Sequence, residues 1–135
     1  MKNRRDFLKA SLAVSAGVIA TSITRADAGT TTFPKGIIYT KENPGRWAKK
    51  SGSHSPVVTV KGKQVTIETK HPMSEKHYVV KHTIVSANGE VLGEKTFYST
   101  DKKALSVFKI KGKHSALYAT SFCNKHDLWV SEFSM

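Results

Sequence analysis

Residues 77–89, HYVVKHTIVSANG, decide the fold class, because a long β-branched run ends there in Asn88-Gly89. Asn-Gly after such a run is the strongest short-range signal for a β-hairpin. No segment shows sustained helical periodicity. About seven short strands at regular spacing predict an all-β fold, an antiparallel β-sandwich. Besides 77–87, the strand-like runs are 57–60, 64–69, 91–100, 104–110, 115–122 and 128–133.

The first 28 residues have the features of an export signal. Arg4-Arg5 is followed by an uncharged run, 10–24, and by a small-x-small sequence at 26–28. This order resembles a bacterial twin-arginine signal peptide. The run is shorter than the ~20 strongly apolar residues that a membrane span needs. We predict cleavage after Ala28, a periplasmic location and no stable membrane insertion of the mature chain.

Residues 29–53 contain prolines, glycines and scattered lysines and predict an extended arm and loop. Within it, Trp47 is expected to pack against the sandwich. The sandwich domain is assigned to residues 54–135.

The composition narrows the classes of function. The 135 residues include 22 Lys and Arg and 10 Asp and Glu, for a net charge of +12. The lysines are spread over turns and strand faces without interleaved aromatic residues, so we predict no nucleic-acid partner. The single cysteine excludes an intramolecular disulfide and a site built on four cysteines. No Ser-His-Asp order, phosphate-binding glycine loop or catalytic carboxylate pair is present.

A candidate metal site arises from the histidines and the cysteine. Cys123 and His126 are separated by two residues at the end of a predicted strand, so one tight turn can direct a thiolate and an imidazole toward one ion. A lone cysteine beside an aromatic residue is also common as a small buried hydrophobe. His71, followed by a proline, and His77 form a second pair, and His54 precedes the first strand at the same end of the sandwich.

The remaining two histidines are expected to serve other purposes. Strand alternation places His82 on the opposite face from His77 and Val79, so His82 is predicted to be a packing or surface residue. His114 follows a Lys-Gly-Lys turn and is predicted to be exposed.

The order His-Pro-x4-His at 71–77 and Cys-Asn-x-His-x-Leu-Trp at 123–129 resembles the catalytic domain of superoxide reductases, the neelaredoxin and desulfoferrodoxin group. The resemblance covers about residues 51–133. It implies an immunoglobulin-like, seven-stranded sandwich with one iron (Fe2+/Fe3+) per chain. It also implies an oxidoreductase that reduces superoxide to hydrogen peroxide with electrons from an unidentified donor. Members with a single iron commonly self-associate, so a homo-oligomer is expected.

By the same resemblance, the iron ligands are four histidines in a plane and one axial cysteine. The matching positions here are His54, His71, His77, Cys123 and His126. With one cysteine in the chain, the second, rubredoxin-like iron centre of desulfoferrodoxins has no counterpart.

The sequence departs from the family before its first histidine. Gly52-Ser53 stands where the family has Glu-Lys, of which the glutamate is a sixth ligand of ferric iron and the lysine attracts the anionic substrate. We predict that Lys49 or Lys50, on the same loop, supplies the positive charge. The alternative is that both lysines only solubilise the loop.

Two other functions remain open from sequence. One is a periplasmic iron-binding or electron-transfer module of the same fold with little reductase activity, which the missing Glu-Lys pair favours. The other is a cupredoxin-like copper protein, which uses two His and one Cys in a trigonal set. A cupredoxin normally adds a methionine just past the last histidine, where this chain has Trp129, and it would leave His71 and His77 unused.

Overall fold

The computed structural model describes residues 33–135, which form eight strands in two sheets. The predicted signal peptide and its cleavage site at Ala28 lie outside the described residues. Among the residues described, no helix is long and apolar enough to cross a membrane. The strands are β1 Ile38–Tyr39, β2 Val57–Lys61, β3 Gln64–Thr69, β4 Val79–Ser86, β5 Val91–Thr96, β6 Ala104–Lys109, β7 Leu117–Cys123 and β8 Asp127–Phe133.

The two sheets have five and three strands. The five-stranded sheet has the order β1-β8-β7-β4-β5 and the three-stranded sheet the order β2-β3-β6. All pairs are antiparallel except β1 with β8, which is parallel. The prediction of an all-β sandwich is confirmed, with β1 as an additional strand from the segment before the sandwich.

That segment is not extended throughout its described part. A 3-10 helix, Gly45–Lys50, leads into a single-turn α-helix, α1, Ser51–His54. Gly45 has a φ of 52°, a left-handed value that a glycine adopts at little cost and that redirects the chain after Pro44. Between β1 and β2 the chain thus forms two short helices, and the second places His54 at the edge of the sandwich.

Strand β4 contains a β-bulge that changes which residues face the core. Its register against β7 shifts between Val79 and Lys81, so one extra residue lies on the bulged strand. Val79 and His82 are both fully buried as a result. The expectation that His82 faces away from Val79 is wrong, because strict alternation does not survive the bulge.

Two apolar clusters fill the space between the sheets. The smaller one contains Val79, Phe97 and Ala104, with Met73 packed against it. Val79 pairs with Cys123, and Ala104 pairs with Thr69, so this cluster marks the end of the sandwich where β3 and β7 terminate. The larger cluster lies along the strands from there and contains Val65, Ile67, Ile84, Ile110, Leu117 and Ala119.

The buried His82 predicts an acid-sensitive fold. Burial lowers the pKa of its imidazole to about 4, from 6.5 in an unfolded chain. The unfolded state therefore binds more protons as the pH falls from about 6.5 to 4, and stability is lost over that window, by on the order of 3 kcal/mol from this residue. Denaturant titrations at pH 7, 5.5 and 4.5 should show a flatter pH dependence for His82→Gln than for the unmodified chain. Equal slopes would contradict the assignment.

Candidate metal centre

The five predicted ligands lie together at one end of the sandwich. Each contributes one donor atom, and these five atoms all lie within 4.8 Å of one another. The donors come from different parts of the chain, so the fold rather than local sequence assembles them. They are His54 at the end of α1, His71 after β3, His77 before β4, Cys123 at the end of β7, and His126 in the turn before β8.

The ring nitrogens form a continuous chain of short contacts. His71 Nε2 lies 2.9 Å from His77 Nε2, which lies 3.0 Å from His126 Nδ1. His126 Nδ1 is also 3.0 Å from His54 Nε2. Cys123 Sγ completes the group, 3.7 Å from His71 Nε2 and 3.6 Å from His126 Nδ1.

Hydrogen bonding alone does not account for these contacts. A ring nitrogen of a neutral imidazole carries either one proton or one lone pair. His77 Nε2 and His126 Nδ1 each lie between two other ring nitrogens, so one proton or one lone pair cannot serve both contacts. Lone pairs that converge on one point do fit a shared metal ion.

The spacing also indicates the coordination geometry. Two nitrogens bound about 2.1 Å from one ion lie about 3.0 Å apart at a right angle and about 3.4 Å apart at a tetrahedral angle. The contacts of 2.9 to 3.0 Å match the right angle. Five donors also exceed the four of structural zinc sites and the three, plus water, of catalytic ones. The residues present therefore fit a single transition-metal ion with four imidazoles and a thiolate.

The imidazoles are held neutral and ready to bind a metal. Burial, with repulsion from neighbouring imidazoles as a smaller cause, lowers the pKa of His54 and of His77 to about 4. Burial also lowers the pKa of His71 and of His126. Because a metal competes with protons for these lone pairs, the neutral state at pH 7 favours binding.

The ring of His54 is oriented by contacts at Nδ1, the ring nitrogen that does not face the cluster. Its Nδ1 lies 3.2 Å from the carbonyl oxygen of Lys50 and 2.8 Å from Ser53 Oγ. With the proton on Nδ1 donated to that carbonyl, Nε2 presents a lone pair to the cluster, an arrangement that metal-binding histidines commonly use. The turn of α1 makes this contact, because it brings residue 50 next to residue 54.

Asp127 ties the 3-10 helix to the turn that carries His126. Its Oδ2 accepts hydrogen bonds from Arg46, at 2.8 Å, and from the Trp47 indole, at 3.0 Å. The bond from Arg46 is the main reason that the pKa of Asp127 is lowered. Trp47 also packs edge-on against the His126 ring, with centroids 4.6 Å apart. Sequence reasoning did not single out Asp127, since its partners lie about 80 residues away in the chain.

The two candidate lysines differ in placement. Lys50 is half-buried, and its charge helps to lower the pKa of His71, His77 and His126. Lys49 is exposed and is not among the charges that act on these imidazoles. Lys125, which was not predicted, acts on His77 and His126. Only its position next to His126 could have indicated this.

The remaining predicted features lie outside the centre. Among the described residues the cluster includes no carboxylate, and it includes neither His82 nor His114. His82 is a buried packing residue, as one of the two expectations for it stated. His114 is half-buried and donates to the Lys111 carbonyl at 2.8 Å, so it is less exposed than predicted.

A β-sandwich with a cluster of histidines and one cysteine that could hold a metal ion is the class that the fold and the geometry define. The family model for desulfoferrodoxin matches residues 46–132. The chain belongs to the desulfoferrodoxin family. No curated protein shows a significant sequence match to the chain.

The fold is also similar to those of solved superoxide reductases. The neelaredoxin of Ignicoccus hospitalis is 25% identical with a TM-score of 0.62, over 77% of this chain and 98% of that one. The superoxide reductase of Giardia intestinalis is 22% identical with a TM-score of 0.57, over 62% and 98%. That of Treponema pallidum is 26% identical with a TM-score of 0.51, over 59% and 66%.

Proposed function

We propose that this protein is a mononuclear non-haem iron superoxide reductase. The observation that carries the proposal is the convergence of four imidazole nitrogens, with three contacts at right-angle spacing, and the Cys123 sulfur. Membership of the desulfoferrodoxin family and the fold shared with superoxide reductases support iron as the ion. A bound ferrous ion supplies the one electron that, with two protons, converts superoxide into hydrogen peroxide.

The chain's own residues prepare that chemistry. Cys123 is buried, and as a ligand its thiolate would donate electron density toward the metal, as thiolate ligands do in other iron proteins. The four neutral imidazoles add no charge of their own. Trp47 and Trp129 both hold His126: the first packs on its ring, and the second donates from its indole to its carbonyl at 2.8 Å. The half-buried Lys50 attracts the anionic substrate.

The setting of the reaction is part of the same proposal. We propose export by the twin-arginine route, cleavage after Ala28, one iron per chain and re-reduction by a separate electron donor. The arginine pair and the small-x-small sequence support export. Residues 1–28 carry five of the 22 Lys and Arg and two of the 10 Asp and Glu, so the cleaved chain has a net charge of +9. This positive charge supports attraction of a small anion such as superoxide.

Lys50 rather than Lys49 should control the approach of superoxide. Lys50→Ala is expected to lower the second-order rate constant about 3-fold or more and to weaken its dependence on ionic strength, because a charge near the centre is removed. The carbonyl that orients His54 is backbone and remains in this variant. Lys49→Ala is the matched control and should leave the rate unchanged. Pulse radiolysis over a range of salt concentrations measures both, and a Lys50→Ala rate equal to that of the unmodified chain would contradict the assignment.

The reaction itself is tested by the products. The iron-loaded, reduced protein is mixed with superoxide, and peroxide and oxygen are both quantified. Peroxide without oxygen is the expected result. Equal amounts of the two would indicate dismutation instead.

One observation favours a second candidate, an iron-binding or electron-transfer module with little turnover. Gly52 and Ser53 replace the family's Glu-Lys pair, and the described cluster holds no carboxylate. Absence of any reaction in the product experiment would favour this candidate. The donor set does not favour the copper alternative, because His71 and His77 both belong to the cluster and the indole of Trp129 is engaged with the His126 carbonyl.

A further inference from the structure

Four polar side chains form a buried layer between the two sheets, next to the metal ligands. Thr69 and Ser106 belong to the three-stranded sheet, and His82 and Ser121 to the five-stranded sheet. At least nine-tenths of each residue is buried. We call these four residues the inter-sheet hydroxyl cluster.

Three hydrogen bonds connect the cluster across the sheets. Thr69 Oγ1 lies 2.7 Å from Ser121 Oγ and 2.8 Å from His82 Nε2. His82 Nδ1 lies 2.8 Å from Ser106 Oγ. A neutral imidazole has one donor and one acceptor nitrogen, so both tautomers of His82 fit this chain of bonds. The cluster is a connected network rather than a set of separate contacts.

The network is linked directly to two predicted ligands. Thr69 ends β3, and its carbonyl oxygen accepts the backbone N–H of His71 at 2.7 Å. Ser121 lies two residues before Cys123 on β7, and both side chains are buried. His71 follows a strand of one sheet, Cys123 ends a strand of the other, and their donor atoms are 3.7 Å apart. The Thr69–Ser121 bond therefore joins the two strands just before their ligands.

We propose that Thr69 is a positioning residue that fixes the distance between the Cys123 thiolate and the His71 imidazole through its hydrogen bonds to Ser121 and His82. The proposal rests on the proposed metal site but not on reaction with superoxide. His71 lies outside the strand ladders, and its Nδ1 has no hydrogen-bond partner among the described residues. The position of His71 therefore depends on the end of β3 more strongly than the position of a residue within a strand would.

A purely apolar contact would not give the same control. Apolar packing is non-directional, whereas a hydrogen bond sets both a distance and an angle. Side chains that hydrogen-bond to metal ligands orient these ligands. Their removal typically lowers metal affinity about 10- to 100-fold. Loss of the Thr69 hydroxyl also breaks two bonds at once, because this hydroxyl takes part in two of the three bonds of the network.

The test uses cobalt(II) as the probe, because a bound thiolate gives cobalt(II) a charge-transfer band independently of any reaction with superoxide. Thr69→Val removes the hydroxyl and keeps the branched shape, whereas Thr69→Ser keeps the hydroxyl. Ile67→Val, on the same strand and also fully buried, is the control for lost packing. Cobalt affinity, band position and thermal stability are measured for each full-length variant.

Thr69→Val is expected to bind cobalt about 10-fold more weakly with a shifted band. Thr69→Ser should match the unmodified chain, and Ile67→Val should lose stability alone. Unchanged affinity and band in Thr69→Val, or equal losses in Ile67→Val, would overturn the proposal. If Thr69→Val does not fold, Ser121→Ala serves instead, with the same expected and overturning results. A chain without any thiolate band overturns the positioning role, whereas a normal band without superoxide reduction contradicts only the proposed function.

Discussion

Cys123→Ser is expected to remove the thiolate-to-iron absorption band and to slow reaction with superoxide by more than about 100-fold. Cys123 is 2% exposed, and its sulfur lies within 3.7 Å of two ring nitrogens of the cluster. A serine oxygen is a harder and poorer electron donor than a thiolate, so the metal loses the electron density that favours reduction. The loss of rate should exceed the 10- to 100-fold loss that follows removal of a residue hydrogen-bonded to a metal ligand. Visible spectroscopy and stopped-flow kinetics of the iron-loaded chain provide the measurement.

Ala119→Ser is the control for that experiment. It introduces a hydroxyl into a fully buried position of the same strand, within the larger apolar cluster. We expect lower stability with an unchanged spectrum. If Cys123→Ser kept the spectrum and rate of the unmodified chain, the cysteine would be only a small buried side chain.

His77→Ala is expected to have the second large effect, a loss of iron affinity of more than about 100-fold. His77 Nε2 lies between the ring nitrogens of His71 and His126, so its removal opens the middle of the donor set. Competition with a chelator and metal analysis of the purified chain measure this loss. The result also separates the iron and copper alternatives, because a cupredoxin-like site would not use His77.

His114→Ala is the matched control, since His114 lies outside the cluster and its ring donates to the Lys111 carbonyl. It should bind one iron as tightly as the unmodified chain does. Full iron occupancy in His77→Ala would mean that the metal is held elsewhere.

Sequence predicted the strands well where turn residues mark their ends. Asn88-Gly89 and the Lys-Gly-Lys sequences at 61–63 and 111–113 have glycines at positive φ, at positions 62, 89 and 112, where a side chain would be strained. The sequence could not predict the two-residue strand β1, because its parallel pairing with β8 is a long-range contact. The bulge in β4 has no glycine or proline between Val79 and Lys81 to mark it.

The candidate site was predictable to the extent that its ligands occur in short motifs. Cys123 and His126, like His71 and His77, have a spacing that can be recognised locally. The position of His54 before the first strand indicated only the end of the sandwich, its role as a ligand came from the resemblance, and only the fold brings it to the other donors. The difference between Lys49 and Lys50 arises from the turn of the 3-10 helix, which leaves one exposed and the other half-buried. Asp127 and the inter-sheet hydroxyl cluster depend on contacts between distant residues, which a single sequence does not reveal.

X-ray absorption spectroscopy of the iron-loaded protein tests the central claim most directly. The five converging donors predict one sulfur and four nitrogen ligands around a single iron, and the sulfur contribution should disappear in Cys123→Ser. A first shell of nitrogen and oxygen without sulfur would contradict this claim. The same holds if the number of histidine ligands is unchanged in His77→Ala.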